Sequence, residues 1–156
     1  MKVLQTILFI AFVFLATSCG GDDDSPSESS NNNLFSVKIN GTDYNPQFVN
    51  GLITVIGSTI TISGSESNGD NVVINFPISA EAGDTFTIAD TQFVASYDAS
   101  NGDSALSSSG SITITAHNTE TQKVSGTFNF VGDPILTGGT TYTFTEGTFE
   151  VTYSLN

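Results

Sequence analysis

The stretch "GSITITAHNTETQKVSGTFNF", Gly110 to Phe130, decides the fold class. Ile112 and Ile114 alternate with Thr113 and Thr115. Val124, Gly126, Phe128 and Phe130 then share one parity, with Ser125, Thr127 and Asn129 on the other. A period of two puts apolar side chains on one face of an extended strand and hydroxyls on the other. The polar run "HNTETQ" between the two halves supplies turn residues, so the segment predicts a β-hairpin with one wet face.

The same alternation extends in both directions. Phe35, Val37 and Ile39 form one arm, and Asn40-Gly41 predicts a type I′ turn into Thr42–Tyr44, because both positions need positive φ. Pro46 ends that arm or confines it to an edge. Leu52 to Ile56 is apolar on both parities, which predicts a strand covered on both faces, with a turn or bulge at Gly57-Ser58. Ile60 and Ile62 follow, then the turn cluster "ESNGDN", then Val72, Ile74, Phe76 and Ile78. Pro77 argues for an edge or a bulge. A turn at Gly83-Asp84 leads to Phe86 and Ile88, and Phe93, Ala95 and Tyr97 make a further face. "DASNGDSALSSSG", Asp98 to Gly110, reads as a polar loop. After a loop through Pro134 and Gly138-Gly139, Tyr142 and Phe144 share a face. Phe149, Val151 and Tyr153 share another, with the parity switched across Glu146-Gly147, which predicts a bulge or tight turn.

These runs amount to about nine to ten short strands separated by turn signals. They predict an all-β domain over residues 34–156, an antiparallel β-sandwich or a flattened β-barrel. Nine of the twelve phenylalanines lie in this body, so Phe should dominate its core.

Upstream, Met1-Lys2 precedes the apolar run Val3–Ala16, long enough for a secretory leader and short of a membrane span. "LATSC" closes it at Cys19, the chain's single cysteine. This ending resembles a bacterial lipobox, which implies a signal peptide over residues 1–18, cleavage before Cys19 and lipid on its sulfur. Two or three acyl chains would hold a protein at a membrane firmly, since each buried CH₂ contributes about 0.8 kcal/mol. Residues 19–33 then read as the lipidated cysteine and a tether too polar to fold. Asp22, Asp23 and Asp24 resemble the surface-export signal of Bacteroidota lipoproteins. The expected address is the outer membrane, at the cell surface, with a periplasm-facing placement as the second choice.

"FSVKING" followed by Tyr44, "GSITITAHN", "VSGTFNF" and "TFTEGTFEVTY" together resemble an uncharacterised family of Bacteroidota lipoproteins with a domain of unknown function. The resemblance spans Phe35 to Tyr153. It implies an all-β fold and a lipoprotein address, and it carries no catalytic residues.

Charge narrows the function classes. The chain has 3 Lys+Arg against 16 Asp+Glu, a formal net charge of -13. Beyond the leader only Lys38 and Lys123 are cationic. Nucleic acid and anionic headgroups need several cations, so neither is an expected partner. With Cys19 and His117 as the whole Cys/His supply, no structural zinc site can be built, and no cofactor is expected. His117 is the one histidine available to a catalytic constellation, and Glu146 with Glu150 are the carboxylates a glycosidase reading would use. The plainer readings are a turn histidine and an exposed polar strand face, so no catalytic residue is assigned. Glu66, Asn68, Asp70, Asp98, Asn101 and Asp103 crowd oxygen ligands into two turns. Neither turn matches a calcium loop, and Asn, Asp and Gly are what turns demand. Tyr44, Tyr97, Tyr142 and Tyr153 could stack sugars or lie in the core. Asp103-Ser104-Ala105 resembles a short Bacteroidota O-glycosylation signal. The expected protein is therefore a lipid-anchored, non-catalytic binding or envelope-interaction domain. The alternatives are a glycan-binding accessory protein, then a hydrolase. Its glycan or protein partner is not identified by the sequence.

Overall fold

The computed structural model describes residues 32–54 and 58–155. The expected leader (1–18), Cys19 and most of the expected tether (19–33) lie outside them, as do Val55, Ile56 and Gly57. The described body is all-β, as the alternation predicts.

β1 (Leu34–Ile39) turns into β2 (Thr42–Tyr44) through Asn40 and Gly41, with φ of 50° and 82°. That is the expected two-residue turn with both positions at positive φ. β3 (Phe48–Thr54), β4 (Thr59–Ser65) and β5 (Asn71–Pro77) form a meander. A short β6 (Thr85–Thr87) precedes β7 (Val94–Asp98). The long strands β8 (Ser104–Asn118) and β9 (Lys123–Pro134) form the predicted hairpin, with Ile112 opposite Phe128. β10 (Tyr142–Leu155) pairs with β9 along most of its length.

The ladders run in a ring, β10-β3-β4-β5-β7-β8-β9 and back to β10. The body is thus an irregular closed ring of strands rather than a clean barrel, with β1, β2 and β6 outside it. Its closure is the feature that alternation does not reveal: β3 runs parallel to β10, from Gly51 opposite Tyr153 to Ile53 opposite Leu155. β1 covers the earlier part of the same β10 edge, up to Leu34 opposite Glu150. Asn33 sits at the fork. Its Nδ2 donates to Val49 O at 3.1 Å, and its Oδ1 accepts from Thr152 N at 2.8 Å.

The core is the set of inward parities. Phe76, Phe93, Phe130, Phe144, Ile60, Ile62, Ile74, Ile112 and Ile114 are fully buried. Each contributes about 1.5–3 kcal/mol by leaving water. Phe130 and Phe144 stack with centroids 3.9 Å apart, across a register that pairs them directly. The parity switch at Glu146-Gly147 is a bulge: the register jumps between Phe144 and Gly147, and Glu146 takes φ 55°. The bulge keeps both Phe144 and Phe149 inside.

Three expectations are corrected. Leu52 points outward and is 37% exposed, so β3 is covered on one face only. The polar loop at Asp98–Gly110 is short, because Ser104 already begins β8 and Ala105 is fully buried. Backbone pairing to β7 as far as Leu106, and to β9 from Ala105 onward, holds this serine run extended. Pro77 lies at the end of an interior strand, past the last β5–β7 pair at Asn75, where no ladder bond is required of it.

Candidate functional site

Strand direction sorts the loops into two poles. The segments 66–70, 99–103 and 135–141 and the Asn40-Gly41 turn gather at the end where β10 begins. Asn40 bonds Thr143 through both its backbone N–H and its side-chain oxygen, each at 2.8 Å. Segments 78–84 and 119–122 lie at the other end, with Asn33 on that side.

At the first pole the two acidic turns considered for calcium meet. Asp70 Oδ1 accepts the backbone N–H of Ser100 at 2.6 Å, and its Oδ2 accepts Asn68 Nδ2 at 3.0 Å. Burial alone would raise the Asp70 carboxyl's pKa. The donors from Ser100, Asn68 and the Tyr97 hydroxyl outweigh it and hold it below the usual carboxylate range. Asp103 Oδ2 accepts Thr140 Oγ1 at 3.0 Å and the Tyr142 hydroxyl at 3.1 Å, which ties 99–103 to 135–141. Asp98 accepts Ser104 Oγ at 2.7 Å. These carboxylates are acceptors within a loop network. Among the described residues no group of three or more His, Cys, Asp or Glu side chains is arranged to hold a metal ion.

Three tyrosines stand beneath these loops. Tyr44 is buried and donates to Gly64 O at 2.7 Å and Asp70 O at 3.0 Å. Tyr97 is buried and packs edge-on against Tyr142, centroids 4.9 Å apart. Burial first, then the Asp70 charge, pushes the Tyr97 phenol up to about 12. Tyr153 is buried at the other pole. An exposed tyrosine row for stacking sugars is therefore not what the fold builds; only Tyr142 is partly exposed.

His117 is half-buried and held at both ring nitrogens. Nδ1 lies 2.7 Å from Ala80 O, and Nε2 lies 2.7 Å from the Tyr153 hydroxyl. A carbonyl can only accept, so Nδ1 carries a proton, and in the neutral ring Nε2 accepts from Tyr153. The ring ties segment 78–84 to β8 and β10, and among the described residues its two nitrogens are held by Ala80 O and the Tyr153 hydroxyl rather than by a Ser or an acid.

Glu146 and Glu150 project outward and each holds one lysine. Lys38 Nζ lies 2.7 Å from Glu146, and Lys123 pairs with Glu150. Lys38 and Lys123 are thus both engaged in solvent-exposed ion pairs, which contribute little to stability. Ser104 of the glycosylation-like tripeptide sits at the start of β8 with its hydroxyl bonded to Asp98. Cys19 lies outside the described residues.

What sequence reading missed is a groove on the outer face of β3, β4 and β5. It is lined by Thr54, Thr61, Asn75, Pro77, Gln92 and Val94 among others, with a volume of about 510 Å³. Outward Thr and Asn residues on alternating strands were its only signal.

No curated protein and no solved structure matches the chain. A family model, "Domain of unknown function (DUF6252)", matches residues 31–151, and the chain belongs to that family.

Proposed function

We propose that this protein is a lipoprotein of the Bacteroidota type. Lipid on Cys19 anchors it to the outer membrane, and its β domain presents a non-catalytic interaction surface, facing outside the cell. The observation that carries this reading is the polarity of the strand ring. Asn33, where the N-terminal chain joins the body, bonds Val49 and Thr152 on one side. The loops stapled by Asp70 and Asp103 stand at the opposite pole. A chain tethered through its N-terminus would hold those loops away from the membrane. The acidic surface keeps such a domain soluble and off anionic headgroups. The non-catalytic reading draws support from the engaged state of His117, Glu146 and Glu150.

The test is fractionation of cells expressing the wild-type chain or Cys19→Ala, with labelled palmitate and mass spectrometry of the mature N-terminus. The expected result is a lipidated N-terminal Cys19 and a membrane-bound wild type, with the variant unlabelled and released. A variant that remains in the membrane fraction at wild-type levels overturns the anchoring. Protease treatment of intact cells should remove the domain if it faces outside and spare it if it faces the periplasm.

A further inference from the structure

The groove over β3, β4 and β5 carries no charged side chain in its lining. The body carries twelve carboxylates and two lysines, yet no ionisable side chain lines this depression. Its lining is hydroxyl and amide, from Thr54, Thr61, Asn75 and Gln92, beside the apolar edges of Pro77 and Val94. Its volume of about 510 Å³ falls within the roughly 300–1,000 Å³ of small-molecule sites.

Two details show how the lining is set. Thr61 Oγ1 donates to Asn75 Oδ1 at 2.7 Å, which fixes the amide and leaves its N–H groups as the donating side. The wall opposite is the segment between β6 and β7, where Thr91 takes φ 61°. A β-branched residue in the left-handed region is an outlier held by its surroundings, and such strain gathers at binding sites. Thr91 N–H closes a turn onto Ile88 O at 3.1 Å, and that turn carries Gln92 to the rim.

We propose that this groove binds a neutral oligosaccharide. Sugar hydroxyls both donate and accept, as do the hydroxyls and amides here. The C–H face of a pyranose ring meets the Pro77 ring and Val94, which is 40% exposed. An anionic ligand finds no cation in the groove and is repelled by the net negative body. A cationic ligand finds no carboxylate in the lining. The site requires no aromatic platform and is independent of the lipid anchor, so it stands or falls separately from the anchoring on Cys19.

The test uses the full chain in detergent, titrated with neutral maltose-, xylan- and mannan-type fragments and with anionic oligogalacturonate. Binding is read by calorimetry and by NMR of the Asn75 and Gln92 side-chain amides. The expected result is saturable binding of at least one neutral fragment, in the millimolar range or tighter, with shifts at both amides. Asn75→Ala and Gln92→Ala should each weaken it about three- to tenfold, the loss of one hydrogen bond, at unchanged circular dichroism. Asn129→Ala, on the exposed face of β9, should leave it intact. Absence of saturable binding for every neutral fragment overturns the proposal. Equal binding of oligogalacturonate, or shifts confined to residues outside the groove, overturns it too. Because Gln92 is exposed, its variant reports on contact with ligand without disturbing the fold.

Discussion

Asp70 and Ser100, thirty residues apart in the chain, are joined by a 2.6 Å hydrogen bond from the Ser100 backbone N–H to the Asp70 carboxylate. Each turn has hydrogen bonds of its own, Asp70 N–H to Asn68 Oδ1 and Asp103 N–H to Asn101 Oδ1, and the Asp70–Ser100 bond joins the two. The β4–β5 turn supplies an acceptor and the β7–β8 turn a donor. Asn68 and Tyr97 complete the carboxylate's shell.

This bond makes loop order pH-dependent. The Asp70 carboxyl is held below its ordinary value of about 3.9. A group with a depressed folded pKa stabilises the fold fully above its unfolded value, and loses that contribution as pH falls through the folded one. Wild-type protein should therefore lose urea resistance on acidification below about pH 4. Asp70→Asn should start lower at pH 7, by about 1 kcal/mol, and lose less between pH 5 and the acid limit. Equal acid sensitivity in both proteins would show that Asp70 is not the group responsible.

The tyrosines report the opposite end of the scale. Burial raises the phenols of Tyr97, Tyr142 and Tyr153, and Tyr97 reaches about 12. Tyr44 is raised as well. A raised folded pKa stabilises the fold below the unfolded value of about 10, and that contribution is lost as pH rises through the folded value. Spectrophotometric titration near pH 10 should show little tyrosinate in the folded protein, and about half ionisation once urea is added. Normal titration of Tyr44, Tyr97 and Tyr153 in the folded state would contradict their placement in the core.

How far residues alone could anticipate this depends on the range of the interaction involved. The β8–β9 hairpin and the bulge at Glu146-Gly147 were legible, because apolar parity is a local signal that pairing merely obeys. The Asn40-Gly41 turn was legible because few residues accept positive φ twice. The parallel β3–β10 closure was not, since Gly51 meets Tyr153 only through the arrangement of the whole ring. The Ser104–Ser109 run looked like loop because it is almost wholly polar, and pairing to β7 as far as Leu106 and to β9 beyond overrules that. The acidic turns were visible singly. That Asp70 and Asp103 would bind Ser100, Thr140 and Tyr142 rather than an ion depends on which loops share a pole.

His117 should behave as a brace. Tyr153→Phe removes one partly buried hydrogen bond and should cost about 0.5–1.5 kcal/mol. His117→Ala also frees Ala80 O and should cost about 1–3 kcal/mol, with faster amide exchange in segment 78–84. Combining the two should cost less than the sum, because both remove the same bond. A strictly additive double variant would mean that the His117–Tyr153 bond contributes nothing to stability.

Glycine meets two separate requirements in this fold, a positive φ and a close backbone approach. Gly110 and Gly138 both have positive φ, 135° and 87°. A Cβ at Gly138 meets nothing within 4 Å. Gly138→Ala should therefore cost only the backbone strain, about 1 kcal/mol. A Cβ at Gly110 would run into the β9 backbone at Asn129 O and Phe130 Cα. That backbone cannot yield without shifting Phe130, which stacks on Phe144 in the core. Gly110→Ala should cost several kcal/mol, on the order of 3 or more, or prevent folding. Thermal melts of the two variants beside the wild type decide the matter. Near-equal melting temperatures would mean that β8 and β9 do not approach each other at Gly110 as described, and the register of the hairpin would have to be redrawn.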